Sequence, residues 1–280
     1  MASVPTATLP TGEKVAALGQ GTWQMGDSAR GRKEEVSALR LGFDLGMTLV
    51  DTAEMYASGG AEEVIAEAIA GRRDEIFIIS KVMPQNASRR GTIAACEKSL
   101  KRLKVETIDL YLLHWPGNMP FAETLDAFTT LKSAGKIRYW GVSNFDVREM
   151  EEVVSLPGGN NVATDQVMYN LNRRGIEFSL IPWCEKHRVP IIAYSPLDQG
   201  KLLRSREVER IAAKYSATVA QIALAWVLRE KNMIAIPKAG SEAHVRENFG
   251  ALNVRLDADD LAALDRAFPP PGRKKSLEMT

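Results

Sequence analysis

The chain is patterned as short apolar runs separated by longer stretches in which apolar residues recur every three or four positions. Runs at 49–50, 76–79 and 110–113 have the length expected of buried strands. The intervening stretches, such as 32–45 and 61–70, have the spacing of amphipathic helices. Strands that alternate with helices in this way are typical of parallel βαβ units.

The same pattern predicts eight strands and ten helices. The predicted strands are 16–19, 48–51, 76–80, 108–113, 139–142, 163–167, 190–194 and 233–236. The predicted helices are 32–45, 61–70, 88–103, 121–134, 146–156 (with Asp146 as its N-cap), 176–187, 207–215, 219–230, 243–252 and 257–268. This α/β pattern favours a closed (β/α)8 TIM barrel over an open doubly wound sheet, because no G-x-G-x-x-G motif follows an early strand.

Two further features complete the predicted architecture. Residues 7–9 and 13–15 flank the turn Pro10-Thr11-Gly12, which predicts a hairpin placed to cap the closed end of the barrel. No shift in composition marks a domain boundary, so we expect residues 1–280 to form a single barrel domain.

The net charge and the distribution of apolar residues limit the kinds of binding partner that we expect. The 280 residues carry a formal net charge of +1, which favours neither nucleic acid nor an anionic membrane. No apolar run approaches the length of a membrane span, and residues 1–5 lack the charged and apolar regions of a signal peptide. No metal-ligand spacing is visible. With Cys96 and Cys184 both in predicted helices, we expect reduced thiols and a soluble, cytoplasmic protein.

Three consecutive predicted strands each deliver an ionisable side chain at the carboxyl end, where such a barrel carries its chemistry. Asp51 ends the first and Tyr56 follows it, while Lys81 and His114 end the next two. A free tyrosine has a pKa of about 10, and a neighbouring ammonium lowers that pKa by favouring the phenolate. The aspartate would hold the lysine, and the histidine would bond to the phenol or to a substrate oxygen. We therefore expect Tyr56 to protonate a carbonyl oxygen while another group supplies a hydride.

Polar or aromatic residues occupy all eight predicted strand exits, a set that a barrel without a ligand does not need. Asn144 and Gln166 each present a donor and an acceptor, which suits a carboxamide. Tyr194 offers a flat face on which a ring can stack. In strand order, the exits carry Gly21, Thr22 and Trp23; Asp51 and Tyr56; Lys81; His114 and Trp115; Ser143 and Asn144; Gln166; Tyr194 and Ser195; and Lys238.

The segments after the last two predicted strands are suited to phosphate groups. Residues 195–201 form a turn-rich loop whose backbone donors suit a pyrophosphate. Lys238-Ala239-Gly240-Ser241 runs into a predicted helix, and a lysine, glycine-flanked amides and a helix N-terminus together make a phosphate site.

Taken together, these motifs resemble the aldo-keto reductase family, and within it the short bacterial branch that reduces methylglyoxal and similar small carbonyls. The matching pieces lie in the family's order and span nearly the whole chain, so the combination is specific. They are Gly21-Thr22-Trp23, Asp51-Thr52-Ala53-Glu54-Met55-Tyr56, Lys81, Leu112-Leu113-His114-Trp115-Pro116, Gly141-Val142-Ser143-Asn144-Phe145 and Ile236-Pro237-Lys238.

The resemblance implies a monomeric, NADP(H)-dependent oxidoreductase that reduces small aldehydes and ketones, with Asp51, Tyr56, Lys81 and His114 as its catalytic tetrad. It also implies that the loop at 195–201 folds over the dinucleotide. The implied cofactor-binding residues are Gly21, Thr22, Trp23, Asp51, Ser143, Asn144, Gln166, Tyr194, Ser195, Leu197, Gln199, Lys201, Ile236, Lys238, Ala239, Gly240, Ser241, His244, Glu247 and Asn248.

The chain departs from the family's usual pattern at the phosphate site. Lys238 matches the lysine that binds the 2′-phosphate of NADP, but Ala239 stands where a serine is usual and His244 where an arginine is usual. Arginine gives a fixed charge and paired bonds to phosphate, whereas histidine is charged only when protonated. Because Lys238 and Ser241 are present, we expect NADP to be preferred, with NAD better tolerated than is usual.

The expected substrate pocket is mostly apolar, which suits uncharged carbonyl compounds. The Pro-rich tail after Phe268 is short, so we expect an open site, with the tail itself a loosely ordered end. The residues expected around the substrate are Trp23, Met55, Met83, Trp115 and Asn118.

Two other functions stay open on the sequence. A nicotinamide-bound sensor or regulatory subunit would bind the cofactor tightly and turn over little. A hydrolase would use Asp51 and Glu54 as paired carboxylates, which leaves Lys81 and His114 without a role. Cofactor retention separates the hydrolase from the other two, and turnover separates the reductase from the sensor.

Overall fold

A computed structural model describes residues 3–279 and contains a sheet of eight parallel strands arranged in chain order. Parallel bridges from Leu18 to Ala235 and from Gly21 to Lys238 join its first and last strands, which closes the sheet into the predicted (β/α)8 barrel. The strands are β3 (Gln20–Gly21), β4 (Leu49–Asp51), β5 (Phe77–Val82), β6 (Ile108–Leu113), β7 (Ile137–Ser143), β8 (Asp165–Met168), β9 (Ile191–Tyr194) and β10 (Met233–Ala235).

Helices surround the barrel and bury their apolar sides against its outer face. Asp146 caps α5 as predicted, since its Oδ1 accepts a hydrogen bond from the Val147 amide at 2.7 Å. No helix within residues 3–279 is both long enough and apolar enough to span a membrane. The helices are α1 (Arg32–Asp44), α2 (Gly60–Ala68), α3 (Arg89–Leu103), α4 (Phe121–Ser133), α5 (Val147–Ser155), α6 (Leu180–His187), α7 (Arg206–Lys214), α8 (Val219–Val227), α9 (Glu242–Gly250) and α10 (Ala258–Ala267).

The predicted N-terminal hairpin is present and fills the closed end of the barrel. Strands β1 (Thr6–Thr8) and β2 (Lys14–Ala16) pair antiparallel. Leu9 and Val15 belong to the same buried cluster as residues inside the barrel, such as Leu49 and Ile192. Burying these apolar side chains together stabilises the closed end, because they would otherwise be exposed to water.

The first barrel strand extends further along the chain than the predicted 16–19, although Leu18 within that range forms the bridge to Ala235. Ala16 belongs to the hairpin strand β2, and the Ala17 amide donates to the Pro5 carbonyl. The ladder with β4 is made by Gln20 and Gly21. Hairpin pairing therefore takes Ala16 from the predicted strand, while the Ala17 carbonyl and the Gly19 amide still bond to Ala235 of β10.

The predicted helix 176–187 is interrupted at its start. The chain makes a short 3-10 turn at Gly175–Glu177, and α6 begins only at Leu180. Pro182 explains the late start, because a proline has no amide hydrogen to donate to a preceding turn and is tolerated only in the first turn of a helix.

The predicted thiols are buried at the helix–barrel interface. Cys96 lies in α3 and Cys184 in α6, and both are unpaired. Burial raises the pKa of the Cys96 thiol to about 12. The thiolate, which is the reactive form, is therefore scarce at neutral pH.

A buried carboxylate ties three barrel strands together near the closed end. Asp109 in β6 accepts hydrogen bonds from the Ile78 amide of β5 at 2.9 Å and from Arg73 at 2.7 Å. Its second oxygen accepts from Arg138 of β7 at 2.8 Å. Asp109 is only 3% exposed, so if its carboxylate were removed, little water could replace it as a hydrogen-bond acceptor.

We expect Asp109→Ala to lower the free energy of unfolding by about 2–4 kcal/mol, because it leaves the buried Ile78 amide without its acceptor and removes one ion-pair partner from each of two guanidinium groups. Asp126→Ala is the matched control, since its ion pair with Arg89 is more than half exposed on both sides. The control should lose less than about 1 kcal/mol. Urea denaturation of the two variants measures the difference, and equal losses would contradict this account of Asp109.

Candidate active site

The predicted ionisable side chains meet at the carboxyl end of the barrel. Asp51 is the last residue of β4, Lys81 lies one residue before the end of β5, and His114 directly follows β6. Tyr56 begins a short 3-10 turn in the loop after β4. Because parallel strands end at the same rim, these four side chains surround one space.

The lysine is fully buried and bound on three sides. Lys81 Nζ lies 2.6 Å from Asp51 Oδ2, 2.7 Å from the Thr52 carbonyl oxygen and 3.5 Å from the Tyr56 hydroxyl. Burial lowers the pKa of Lys81 and raises that of Asp51, while their mutual attraction opposes both shifts. The other Asp51 oxygen accepts from Gln166 Nε2 at 2.7 Å, so both carboxylate oxygens are satisfied.

The pKa of Tyr56 is shifted in the direction opposite to the one expected from the sequence. Burial and the negative charge of Asp51 raise the pKa of Tyr56 well above its ordinary value of 10.0. The expected lowering required a free ammonium, but Lys81 is already neutralised by Asp51. The phenol therefore keeps its proton at neutral pH, as a proton donor must.

The histidine is held as a neutral ring beside the tyrosine. The His114 and Tyr56 rings meet edge to face, with centroids 5.8 Å apart. Burial, and secondarily the charge of Lys81, lowers the pKa of His114 from 6.5 to about 2. Among the described residues, its Nδ1 has no hydrogen-bond partner.

A second group of polar side chains is fixed on the opposite strands. Asn144 has a left-handed backbone with φ of 60°, a conformation that asparagine tolerates better than most residues. Its Nδ2 donates to the His114 carbonyl at 3.0 Å, and its Oδ1 accepts from the Tyr194 hydroxyl at 2.9 Å. Ser143 Oγ donates to the Gln166 carbonyl at 2.8 Å. The predicted carboxamide-binding groups therefore share a network with His114.

A cavity of about 800 Å³ opens at this rim. It brings together the exit residues predicted from the sequence with the exception of Lys81, which lies beneath the cavity floor and contacts Asp51 and Tyr56. The lining residues are Gly21, Thr22, Trp23, Gln24, Asp51, Met55, Tyr56, His114, Trp115, Ser143, Asn144, Gln166, Tyr194, Ser195, Pro196, Leu197, Gln199, Gly200, Ile236, Pro237, Lys238 and Met279.

Two residues expected around the substrate do not line this cavity. The Met83 amide donates to Glu54 Oε1 at 2.8 Å, which turns the segment toward the loop after β4. Asn118 is exposed on the loop before α4. Glu54 also accepts from Asn86 at 3.0 Å and is absent from the lining, so it does not face Asp51 across the cavity as a hydrolase would require.

The predicted phosphate segment forms a cluster at the start of α9. Lys238 Nζ lies 3.1 Å from the point where a Cβ on Gly240 would stand, so the lysine folds over that glycine. Ser241 caps α9 by accepting from the His244 amide, and His244 is exposed beside it. The remaining predicted residues of this segment, Ala239, Glu247 and Asn248, and Lys201 of the preceding loop lie outside the cavity lining.

The loop after β9 is folded on itself. Ser195, Asp198 and Gln199 have positive φ, and the Asp198 and Gly200 amides donate back to the Ser195 and Leu197 carbonyls. Asp198 is buried and accepts from Asn172 Nδ2 at 2.9 Å. Two of the backbone donors expected for a pyrophosphate are therefore engaged within the loop.

The tail after Phe268 is not the loose end expected from its composition. Leu277 packs against the hydrophobic core, Glu278 pairs with Arg173 at 2.5 Å, and Met279 lines the cavity. The sequence signal was present, because Leu277 and Met279 are apolar residues two apart in an otherwise polar tail. The site is consequently less open than predicted on that side.

The model of the Aldo/keto reductase family matches residues 17–268. The chain belongs to the aldo/keto reductase family.

Individual members of the family resemble the chain over nearly all of its length. Methylglyoxal reductase YeaE of Escherichia coli (strain K12) is 51% identical over 268 residues, which cover 94% of each chain. Glyoxal reductase of Bacillus subtilis (strain 168) is 31% identical over 260 residues, covering 93% of this chain and 91% of that protein. The crystal structure of an aldo-keto reductase from Klebsiella pneumoniae in complex with NADPH superposes with a TM-score of 0.97 at 46% identity, covering 99% of both chains.

We expect the His114 imidazole to stay neutral between about pH 8 and pH 4, because burial lowers its pKa to about 2. The unfolded chain takes up this proton near pH 6.5, so His114 makes the fold progressively less stable as the pH falls below that value. NMR of histidine ring nitrogens measures the titration, since the chain has three histidines and a His114→Asn variant assigns the signal. A His114 midpoint between pH 5 and 7 would contradict the account.

Proposed function

We propose that the protein is an NADPH-dependent reductase of small aldehydes and ketones, such as methylglyoxal and aromatic aldehydes, which it converts to alcohols. The observation that carries this proposal is a protonated tyrosine placed 3.5 Å from a buried lysine, at the edge of a cavity that also presents Asn144 and Gln166. Such a tyrosine can deliver a proton to a carbonyl oxygen. The relatives named as methylglyoxal and glyoxal reductases support the substrate class.

The residues present fit a nicotinamide cofactor. Asn144 and Gln166 offer amide groups for a carboxamide, and Tyr194 offers a ring face at the end of β9. Lys238, Gly240 and Ser241 would hold the 2′-phosphate at the start of α9. The bound cofactor would supply the hydride to the carbonyl carbon. The NADPH complex of the Klebsiella pneumoniae relative supports this assignment.

The protein's own part of the reaction is to orient the carbonyl and to deliver a proton. Tyr56 donates its proton to the carbonyl oxygen, and Lys81 with Asp51 holds the phenol in place. Neutral His114 can donate a hydrogen bond to the same oxygen from the ring nitrogen that faces the cavity. Donors fixed in advance around a developing negative charge are usually the largest single contribution to catalysis.

The cavity wall favours small, uncharged substrates. Trp23 and Met55, 44% and 41% exposed, stand with Trp115 around the opening, and Met279 adds a fourth apolar side chain. Apolar walls with few polar groups bind uncharged molecules well. The two relatives named above are a methylglyoxal reductase and a glyoxal reductase, which gives the sensor hypothesis no support.

We also propose a single-domain, monomeric, cytoplasmic enzyme. The barrel sheet runs unbroken from β3 to β10, which supports one domain. The two unpaired, buried thiols are compatible with a reducing compartment. Size-exclusion chromatography with light scattering tests the monomer, and a dimer mass would refute it.

The reductase proposal predicts loss of NADPH absorbance at 340 nm when the purified protein is mixed with methylglyoxal or an aromatic aldehyde. Tyr56→Phe should lower kcat by at least about a hundredfold, since general acid catalysis contributes that much or more. NADPH affinity, measured by fluorescence titration, should be unchanged. Tyr139→Phe is the matched control, because that phenol bonds to Glu13 at the closed end of the barrel. Tight NADPH binding without turnover by the unmodified protein would favour the sensor instead.

We expect His244→Arg to tighten NADPH binding by about tenfold, or about 1.4 kcal/mol, because a permanent charge and paired donors replace the imidazole near the 2′-phosphate. NADH affinity should not change, since NADH lacks that phosphate. His187→Arg adds the same charge at the C-terminal end of α6, whereas His244 lies in the first turn of α9, so this control should leave both affinities unaltered. Equal tightening for both cofactors would show that His244 does not face the 2′-phosphate.

A further inference from the structure

The loop that carries Tyr56 has an unusual backbone directly after the tyrosine. Ala57 and Ser58 have φ of 49° and 53°, and Gly59 has φ of 96°. Three consecutive residues in the left-handed region, two of them with a Cβ, are disfavoured by sterics. Such a conformation persists only where surrounding groups enforce it.

The group that lies against this loop is the side chain of Arg102 from α3. A Cβ built on Gly59 would stand 2.5 Å from Arg102 Nε and 3.0 Å from its Cζ. The guanidinium therefore occupies the space beside Gly59, where only a glycine leaves room for it. Arg102 is also fixed on its own helix, since it donates to Ser99 Oγ at 3.2 Å.

A buried carboxylate holds the guanidinium in that position. Glu62, in the first turn of α2, has no exposed surface. One of its oxygens pairs with Arg102 Nε at 2.5 Å, and the other accepts from Ser80 Oγ at 2.7 Å. Ser80 immediately precedes Lys81 in β5. One ion pair thus joins α3, the start of α2, the loop after Tyr56 and the strand that carries Lys81.

We propose that the Arg102–Glu62 pair is the positioning unit that fixes the Tyr56 hydroxyl relative to Lys81 and the cavity. It touches neither the cavity nor a reacting atom, and it acts by holding both ends of the Tyr56–Lys81 contact. This inference rests on the reductase function proposed above. Burial lowers the pKa of Lys81, and the carboxylates of Asp51 and then Glu62 oppose that shift, so Glu62 itself also helps to keep the lysine charged.

Arg102→Met tests the proposal, because it keeps an apolar stem of similar length and removes the charge that holds Glu62. With the loop free to relax, kcat should fall roughly 10- to 100-fold, as expected for a displacement of about 1 Å in a reacting group. The affinity for NADPH should not change, since Gln166 and Tyr194 lie on β8 and β9 and Asn144 directly follows β7, none of which contacts Arg102 or Glu62 through a hydrogen bond given above. Arg102→Lys, which can still pair with Glu62, should recover part of the lost rate.

A kinetic isotope effect distinguishes misplacement of Tyr56 from simple loss of folded protein. With NADPH deuterated at the transferred position, Arg102→Met should show a larger isotope effect on kcat than the unmodified enzyme, because the chemical step becomes slower relative to product release. A purely structural defect would reduce the number of NADPH-binding sites and leave the isotope effect and the rate per site unaltered. All rates are therefore normalised to sites counted by NADPH titration.

Lys214→Met is the matched control. Lys214 also pairs with a buried carboxylate, that of Asp260 at 2.9 Å, between α7 and α10 and away from Tyr56. It should lower stability without altering kcat per site.

Two outcomes would overturn the positioning proposal. One is an unchanged rate per site in Arg102→Met, and the other is an equal fall in the rate per site in Lys214→Met. If Arg102→Met does not fold, Glu62→Gln and Arg102→Lys carry the same test. An unmodified protein that reduces no carbonyl compound would instead overturn the proposed function.

Discussion

A lysine ammonium with no exposed surface needs acceptors on every side, and the barrel mouth is built around that requirement. Lys81 finds them in the Asp51 carboxylate, the Thr52 carbonyl and the Tyr56 hydroxyl. An unpaired ion in this place would cost several kcal/mol. Because all three acceptors come from the end of β4 and the loop after it, pairing β4 with β5 in this register brings Asp51 and the loop that carries Tyr56 next to the lysine.

The same aspartate connects the two halves of the site. Its second oxygen binds Gln166, so the side chain that holds the lysine also orients an amide on the far side of the rim. Asn144 makes a comparable link, from the His114 backbone to the Tyr194 hydroxyl. Lys81, Gln166 and Asn144 are therefore held in place by the protein alone, and these groups need little rearrangement when a ligand arrives.

The barrel and the meeting of the strand ends were predictable because apolar periodicity assigns strands, and parallel strands end at one rim. Other features depend on contacts that no local pattern encodes. The hairpin takes Ala16 from the predicted first strand through pairing with distant residues. The pKa of Tyr56 rises because Asp51 neutralises Lys81 and burial disfavours the phenolate, both of which require the folded geometry. The position of Met279 is set by the packing of Leu277 on the core.

The position of Met279 separates part of the cavity wall from the barrel sheet. Met279 forms part of the cavity wall, yet it belongs to a segment that takes no part in the hydrogen-bonded ladder of the barrel. Substitutions in this segment can reshape the wall while the strands that carry Lys81 and Asp51 stay in register. Met279 is half exposed, while Leu277 makes the contact with the core, so substitutions at Met279 can change the range of substrates with little effect on folding.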